Sequence, residues 1–240
     1  MKKILGSIRK ADIDFKMIQE GDKIAVGVSG GKDSMILLYA LHLYQKFSPI
    51  KFEVVGITLK LGFSGMDFDP VIDFCKENEI EYHMVDTRVY EILKEKSDEK
   101  GRLPCSLCSK FKKALLIKKA VELGCNKVSM AHHADDATET MVMNMLHNGF
   151  ISTFKAKMFM TDSKITFIRP LIYCYEAEII KAAAKHVPVV ESTCPMDKNT
   201  GREDVKDMLK GLYSKYPHAK ANLLNAMKNT DRVSLLEREI

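Results

Sequence analysis

Residues 23–41 read KIAVGVSGGKDSMILLYAL, and this passage limits what the chain can fold into. The run from Lys23 to Ser29 is rich in Val and Ile, as a buried strand is. From Met35 to Tyr44 the chain stays apolar for longer than a strand usually runs, so a helix buried on most sides follows. The connection between them is Ser29-Gly30-Gly31-Lys32-Asp33-Ser34. Glycine admits positive φ and lets the backbone come close to a ligand. The first turn of a helix directs unpaired N–H groups and a partial positive charge outward. The hydroxyls of Ser29 and Ser34 add donors and Lys32 adds charge, so the turn suits a phosphate. The plainer alternative is a helix capped by Asp33 or Ser34.

The glycines fall at 27, 30 and 31, which fits neither Gly-x-x-x-x-Gly-Lys-Ser/Thr nor Gly-x-Gly-x-x-Gly. Beyond this turn, strand and helix patterns alternate. Strands are expected over 23–29, 52–60, 81–87, 127–132 and 165–169, and helices over 34–47, 70–79, 106–123, 135–148 and 175–186. Asp69-Pro70 reads as a helix start, and Gly124 and Gly149 as helix ends. Segments 63–69 and 95–104 read as loops. The alternation implies an α/β fold, a doubly wound and mainly parallel sheet with helices on both faces. Ligands then collect at the carboxyl ends of the strands, where the Gly30-Gly31 turn sits. From Glu203 onward only helical patterns remain, giving a helical C-terminal tail packed on the core. The expected organisation is one domain over 1–200 with a cysteine-bearing site, extended by helices over 201–240.

Composition narrows the class. No window approaches eighteen uninterrupted apolar residues, so no membrane span is expected. Arg9, Lys10, Asp12 and Asp14 interrupt the N-terminus, which excludes a signal-peptide core. Six cysteines without such a signal point to free thiols or metal ligands in a reducing, cytoplasmic setting. The net charge is a modest +5, but its placement is uneven: residues 109–121 carry five lysines and no acid. Lys2, Lys3, Arg9 and Lys10 add a second basic segment. Such faces are either solvated surface or a hold on a nucleic-acid backbone.

Cys105 and Cys108 form a C-x-x-C at the start of a helix. A redox pair, half a zinc site and part of an iron–sulfur site all remain open from the spacing. Cys75, Cys125 and Cys174 lie among apolar residues and are expected in the core, whereas Cys194 precedes a proline in a polar loop. His132, His133, Asp135 and Asp136 follow the strand expected to end at 132, on the same sheet edge as the glycine turn. Either aspartate could also cap the next helix, and Asp136 and Glu139 stand one turn apart.

The string SGGKDS resembles the PP-loop of the N-type ATP pyrophosphatases. The segments PCSLCSKFKK, AHHADDATET and RPLIYCYEAEI resemble the tRNA 2-thiocytidine synthetase group, a likeness spanning residues 20–200. Two departures are Ala131, where the group often has glycine, and Ala134, where it often has arginine. The resemblance implies an adenine nucleotide α-hydrolase-like PP-loop fold and ATP split between the α and β phosphates. It implies ATP held by Ser29, Gly30, Gly31, Lys32, Asp33 and Ser34, with Thr58, Leu59 and Asp135 as further cofactor contacts. Lys32, Asp33, His133 and Asp136 are then the catalytic candidates, with Asp135 or Asp136 helping to hold Mg²⁺ on the phosphates. Cys105, Cys108 and Cys194 are the implied ligands of a 4Fe-4S cluster, with Cys174 the alternative third ligand and zinc the alternative metal. The implied function is an ATP-dependent sulfurtransferase replacing a nucleobase oxygen, C2 of a tRNA cytidine, with sulfur. Its partners are tRNA and a cysteine desulfurase or other sulfur donor; a homodimer stays open. Two other readings remain: a PP-loop thiolase or ligase using a cysteine persulfide without a cluster, and a non-catalytic, metal-stabilised RNA-binding protein.

Overall fold

A computed structural model describes residues 1–98, 103–194 and 201–235. The loop expected over 95–104 therefore lies partly outside the described residues. The chain divides into two compact units, Met1–His133 with Lys155–Lys198, and Ala134–Phe154 with Asn199–Ile240.

The first unit is built on one sheet. Its strands are β1 (Asp22–Gly27), β2 (Phe52–Lys60), β3 (Glu81–Asp86), β4 (Lys127–Ser129), β5 (Lys157–Met160) and β6 (Ile165–Ile168). They lie in the order β3-β2-β1-β4-β6-β5, parallel except for β5 against β6. Strand β1 pairs with β2 from Asp22↔Phe52 to Gly27↔Ile57, and with β4 from Ile24↔Lys127 to Val26↔Ser129. The chain winds outward from β1 through β2 to β3, then crosses back to β4 on the other side. The reversal leaves a crevice beyond the carboxyl ends of β1 and β4, where doubly wound sheets bind ligands.

The unit's helices are α1 (Lys2–Phe15), α2 (Lys32–Phe47), α3 (Asp69–Glu77), α4 (Val89–Glu95), α5 (Cys105–Glu122) and, beyond the second unit's first segment, α7 (Glu176–His186). Strand alternation divides them between the faces. Ala25, Val55, Ile57, Val128 and Phe167 form one core layer with Leu116 and Ala120 of α5. The intervening position Gly56 turns the other way, and a Cβ there would meet Leu38 of α2. Helices α2 and α7 pack together on that side, and α1 joins them. Ile4, Ile8 and Ala11, one turn apart, bury the inner stripe of α1.

Three elements of this unit were not expected from the sequence: α1, α4 and the short edge strand β5. Strand β4 is shorter than the expected 127–132: Met130 still bonds its N–H to the Ile168 carbonyl, and the chain then turns away. The second unit holds α6 (Ala134–Met143), α8 (Gly201–Lys215) and α9 (Ala219–Lys228). Helix α6 packs on α8 and α9. The single helix expected over 135–148 passes into a π-helical turn at Asn144–Asn148 and stops at Gly149, φ 70°. Among the described residues, no helix is long and apolar enough to cross a membrane.

A buried ion pair sits near the amino ends of β1 and β4. Lys127 Nζ lies 2.5 Å from Asp22 Oδ2, with the two side chains only 4% and 3% exposed. The desolvation this entails is tolerable because the remaining valences are filled. Lys127 also donates to the Met17 carbonyl, Asn126 Nδ2 donates to Asp22 Oδ1, and the Gln19 N–H donates to Asp22 Oδ2. Removing one partner strands a buried charge at a cost of about 3–5 kcal/mol. Asp22→Ala is therefore expected to lower the urea-unfolding free energy by that order, and Asp22→Leu with Lys127→Met to recover most of the loss. A loss under about 1 kcal/mol for Asp22→Ala, the range of exposed pairs, would refute a structural role for this pair.

Candidate active site

The loop after β1 has the shape its sequence demands. The Val28 N–H continues the pairing with the Ile57 carbonyl, after which Gly30 takes φ +85°, where a side chain would be strained. A Cβ at Gly30 would also lie 2.9 Å from Val190 Cβ and 3.3 Å from Phe68 Cε1. Helix α2 is capped by Gly31 without a side-chain hydrogen bond, so the capping role expected of Asp33 or Ser34 is not taken up. Ser34 instead donates to the Gly31 carbonyl at 2.9 Å and accepts from the Ser29 N–H at 3.1 Å. The two serine hydroxyls lie 3.2 Å apart. They hold the loop's shape, and helix geometry leaves the N–H groups of its first turn pointing outward.

Charge is concentrated on this loop. Lys32 Nζ lies 2.9 Å from Asp33 Oδ2 and 3.1 Å from Glu176 Oε1, at the start of α7. Burial alone would lower the ammonium, but the Asp33 and Glu176 carboxylates outweigh it and hold Lys32 above its ordinary value. The other Asp33 oxygen, Oδ1, is buried and has no hydrogen-bond partner among the described residues. His133 Nε2 stands 3.9 Å from it, beyond hydrogen-bond range. Asp33 therefore lies between Lys32 and a buried histidine from the loop after β4, so the crevice between β1 and β4 carries both signs of charge.

Thr58 and Leu59 sit where β2 ends beside this loop. The Thr58 hydroxyl donates to the Val28 carbonyl at 2.8 Å and accepts from Tyr82 at 2.7 Å. Leu59 packs against the core. Both side chains serve the fold, which leaves their backbone at the strand end. A small cavity of about 130 Å³ opens one step further on, lined by Lys60, Phe63, Met66, Phe68 and Thr87 among others.

The six cysteines separate as their neighbours suggested. Cys75, Cys125 and Cys174 are buried free thiols, pushed by that burial to about 11, 11 and 12. Cys105 opens α5 and is exposed, and Cys108 and Cys194 are half-buried. Burial raises the Cys108 thiol, Lys112 opposes this, and the charges of Cys194 and Cys105 add to the rise. Cys108 thus lies within electrostatic reach of both others, and its place in the first turn of α5 does not lower its pKa. Among the described residues, no three or more His, Cys, Asp or Glu side chains are gathered closely enough to hold a metal ion. Cys194 arrives on an extended strap after α7. The Val190 N–H of this strap donates to the Gly30 carbonyl at 2.9 Å, so the strap is fastened to the glycine turn.

In the second unit, Asp135 and Asp136 occupy the first turn of α6. Asp135 Oδ1 lies 2.5 Å from Lys220 of α9. Arg202 of α8 reaches Asp136 at 3.1 Å and Glu139 at 3.4 Å, so these two carboxylates one turn apart share a guanidinium. On α5, Lys113 turns inward over the Phe167 ring and Lys119 pairs with Glu122. Lys110, Lys112 and Lys118 remain on the exposed face.

Sequence reasoning passed over Glu176 and Arg169. Arg169 donates from Nε to His132 Nδ1 at 3.2 Å and from a terminal nitrogen to the Lys155 carbonyl at 2.5 Å. Both residues belong to the RPLIYCYEAEI segment, which was singled out only as a whole.

Residues 5–206 match the PP-loop domain family. The chain is 37% identical to the tRNA-cytidine(32) 2-sulfurtransferase of Pelobacter propionicus, covering 100% of this chain and 90% of that one. It is also 37% identical to the enzyme of that name from Geobacter metallireducens, covering 100% and 94%. Among solved structures it is similar to the U34-tRNA thiolase NcsA from Methanococcus maripaludis, determined with its 4Fe-4S cluster. That match has a TM-score of 0.76 at 25% identity over 97% of this chain and 79% of that one.

The burial pattern sets the order of thiol reactivity. With iodoacetamide near pH 8, peptide mass spectrometry is expected to find Cys105 and Cys194 modified first, and Cys108 more slowly. Cys75, Cys125 and Cys174 are protonated as well as buried, and should react only after denaturation. Modification of Cys174 in the folded protein at the rate of Cys194 would contradict this burial pattern.

Proposed function

The chain belongs to the PP-loop family, in the group of the tRNA-cytidine(32) 2-sulfurtransferases, and from that premise we propose that it thiolates a tRNA cytidine after adenylating it. ATP lies on the loop from Ser29 to Ser34. The C2 oxygen of the cytidine attacks the α-phosphorus and pyrophosphate leaves. Hydrosulfide, formed when a thiol reductant releases sulfur from a donor such as a cysteine desulfurase, then attacks the same carbon and AMP departs. Adenylation is needed because an oxygen bound to that carbon is otherwise a poor leaving group.

The observation that carries this reading is the position of Lys32. Its ammonium lies at the mouth of the α2 N-terminus, held by two carboxylates in place of phosphate. On binding ATP it exchanges Asp33 and Glu176 for phosphate oxygens and stabilises the charge that grows on the departing pyrophosphate. The backbone N–H groups of the first turn of α2 serve the same anion. Lys110, Lys112 and Lys118 offer a phosphate-binding face for tRNA on α5.

Magnesium fits one feature of the loop. Asp33 Oδ1 is a buried carboxylate oxygen without a partner among the described residues, the hard donor that this ion takes. Bound there, Mg²⁺ would neutralise phosphate charge. The donor set of Cys105, Cys108 and Cys194 fits a 4Fe-4S cluster. Cys108 is in electrostatic reach of both Cys105 and Cys194, and a cluster spreads its thiolates over separate irons. Held by Cys105, Cys108 and Cys194 alone, such a cluster would leave one iron open to sulfur. The strap fastened at Gly30 brings the third cysteine toward the nucleotide loop.

Lys32→Ala is expected to reduce ATP–pyrophosphate exchange by about 100-fold or more with an unchanged circular dichroism spectrum. Cells carrying it should lose the thiolated cytidine from their digested tRNA. Normal exchange by this variant would refute the assignment. In anaerobically prepared protein, alanine at Cys105, Cys108 or Cys194 is expected to abolish iron binding, and alanine at Cys174 to preserve it. Iron retained by Cys194→Ala and lost by Cys174→Ala would move the third ligand. Full thiolation by the Cys105, Cys108 double variant would favour a route without a cluster.

A further inference from the structure

The loop that follows β2 borders the small cavity at that end of the sheet. Thr87 donates both its N–H and its hydroxyl to the Lys60 carbonyl, and the Tyr90 N–H donates to the Leu61 carbonyl. The start of the loop is thereby tied to the chain that leaves β3. Phe63 is half-buried, its ring centroid 4.9 Å from that of Tyr90. Phe63, Met66 and Phe68 give the cavity apolar walls, and Lys60, Asp86 and Thr87 give it polar ones.

Two contacts place this loop beside the chemistry. Phe68 stands against the glycine turn, where a Cβ at Gly30 would lie 3.3 Å from its ring. A Cβ at Gly65 would lie 3.6 Å from Thr193 Cγ2, and Thr193 directly precedes Cys194. One wall of the cavity therefore touches the nucleotide loop, and the loop that carries this wall meets the strap of Cys194.

Size and chemistry narrow the occupant. A cavity of about 150 Å³ takes one benzene ring, so about 130 Å³ suits a single six-membered ring rather than a fused purine. The same limit disfavours the adenine of ATP, whose implied contacts, Thr58 and Leu59, do not line the cavity. Proteins hold unstacked bases in this manner, with the flat ring on aromatic side chains and hydrogen bonds to one edge. The Thr87 hydroxyl has one proton, and it is spent on the Lys60 carbonyl at 2.8 Å. Its oxygen has only lone pairs left to offer. The Asp86 carboxylate, 3.2 Å from Lys60 Nζ, adds further acceptors. Acceptors read the N4 amino group of cytosine, where uracil carries an oxygen instead.

We infer that this cavity binds a cytosine turned out of its RNA stack, with Phe63 against the ring and Thr87 accepting from its amino group, and that this cytosine is the one activated and thiolated. The second half rests on the function proposed above, whereas the first does not.

Binding is read apart from activity. In methyl spectra of protein with ¹³C-labelled methionines, Met66 is assigned by its loss in Met66→Leu. The protein is titrated with cytidine, uridine and adenosine, which carry no phosphate for the glycine turn. Cytidine is expected to shift the Met66 methyl and to half-saturate at a concentration roughly fivefold below uridine. That preference should persist in Thr87→Ser, which keeps the hydroxyl, and vanish in Thr87→Val. A Met66 methyl that cytidine leaves in place, or tighter binding of adenosine than of cytidine, would overturn the inference whether or not the protein uses ATP. So would a non-hydrolysable ATP analogue that suppresses the cytidine shift, since the cavity would then be the seat of adenine. The role in thiolation is measured with anaerobically prepared protein, unmodified tRNA, ATP and sulfide. Phe63→Ala is expected to lower thiolation at limiting tRNA by roughly tenfold or more with ATP affinity unchanged, and Phe63→Tyr to retain it. Equal thiolation by Phe63→Ala and wild type would overturn that role. Absence of thiolated cytidine from the wild-type reaction would refute the proposed function and leave the cavity to the titrations.

Discussion

Strand β1 is paired in parallel on both sides, with β2 and with β4, and the rest of the site depends on that double pairing. A parallel neighbour on each flank means that three chain ends leave the sheet in the same direction and at the same height. The glycine turn leaves from β1, Thr58 and Leu59 from β2, and the two histidines from β4. Because β2 and β4 are reached by crossovers in opposite directions, a crevice is left between the turns that leave β1 and β4. Hydrogen bonds within the sheet thus fix the spacing of Lys32, Asp33 and His133 before any side-chain contact is made. The buried Lys127–Asp22 pair contributes from the far end, tying the starts of β1 and β4 together with bonds that also satisfy Asn126 and the turn at Met17.

The fold was largely legible because its signals are local. A Val- and Ile-rich run before the glycine turn, and an apolar run after it, need no partner to be recognised. What escaped notice was weakly patterned. Helix α1 has Gly6 in its middle and four basic residues in its first ten, and only Ile4, Ile8 and Ala11 mark its buried stripe. Strand β5 is four residues long, lies on an edge, and leaves Phe159 exposed, so alternation has too few positions to declare itself. The end of helix α6 was read as regular since Gly149 stops it where expected; the widening into a π-turn at Asn144 has no sequence signature that a period of 3.6 would reveal.

The site was legible in its short-range part only. Six contiguous residues disclosed the anion-binding turn because glycine and helix-terminal physics act over that distance. Glu176, Arg169 and Val190 contribute from after β6, and nothing in their immediate surroundings says which loop they meet. The same holds for lysines on α5. Their spacing suggested one basic face, but Lys113 spends its charge over Phe167 and Lys119 beside Glu122, and only contact with the sheet decides which stay in water. Although Cys108 stands in the first turn of α5, burial and two neighbouring thiols raise its pKa, which the C-x-x-C spacing alone does not disclose. Asp135 and Asp136, legible as acidic, were not legible as ion-paired, because Arg202 and Lys220 come from the C-terminal helices.

Gly30 gives its carbonyl to Val190 and has no room for a side chain, which makes it an anchor point as well as a turn. Cys194 lies four positions after Val190. An extended chain spans at most about 3.5 Å per residue, so the Cys194 backbone is leashed to within about 14 Å of that anchor. The leash length is set by covalent geometry and survives any rearrangement that keeps one hydrogen bond. On the function proposed above, a sulfur carried near Cys194 and a base activated on the glycine turn would share a small sphere, and a short-lived activated base would not need to diffuse to find its nucleophile. Lengthening the strap by a residue or two would enlarge that sphere without touching a single group that performs chemistry.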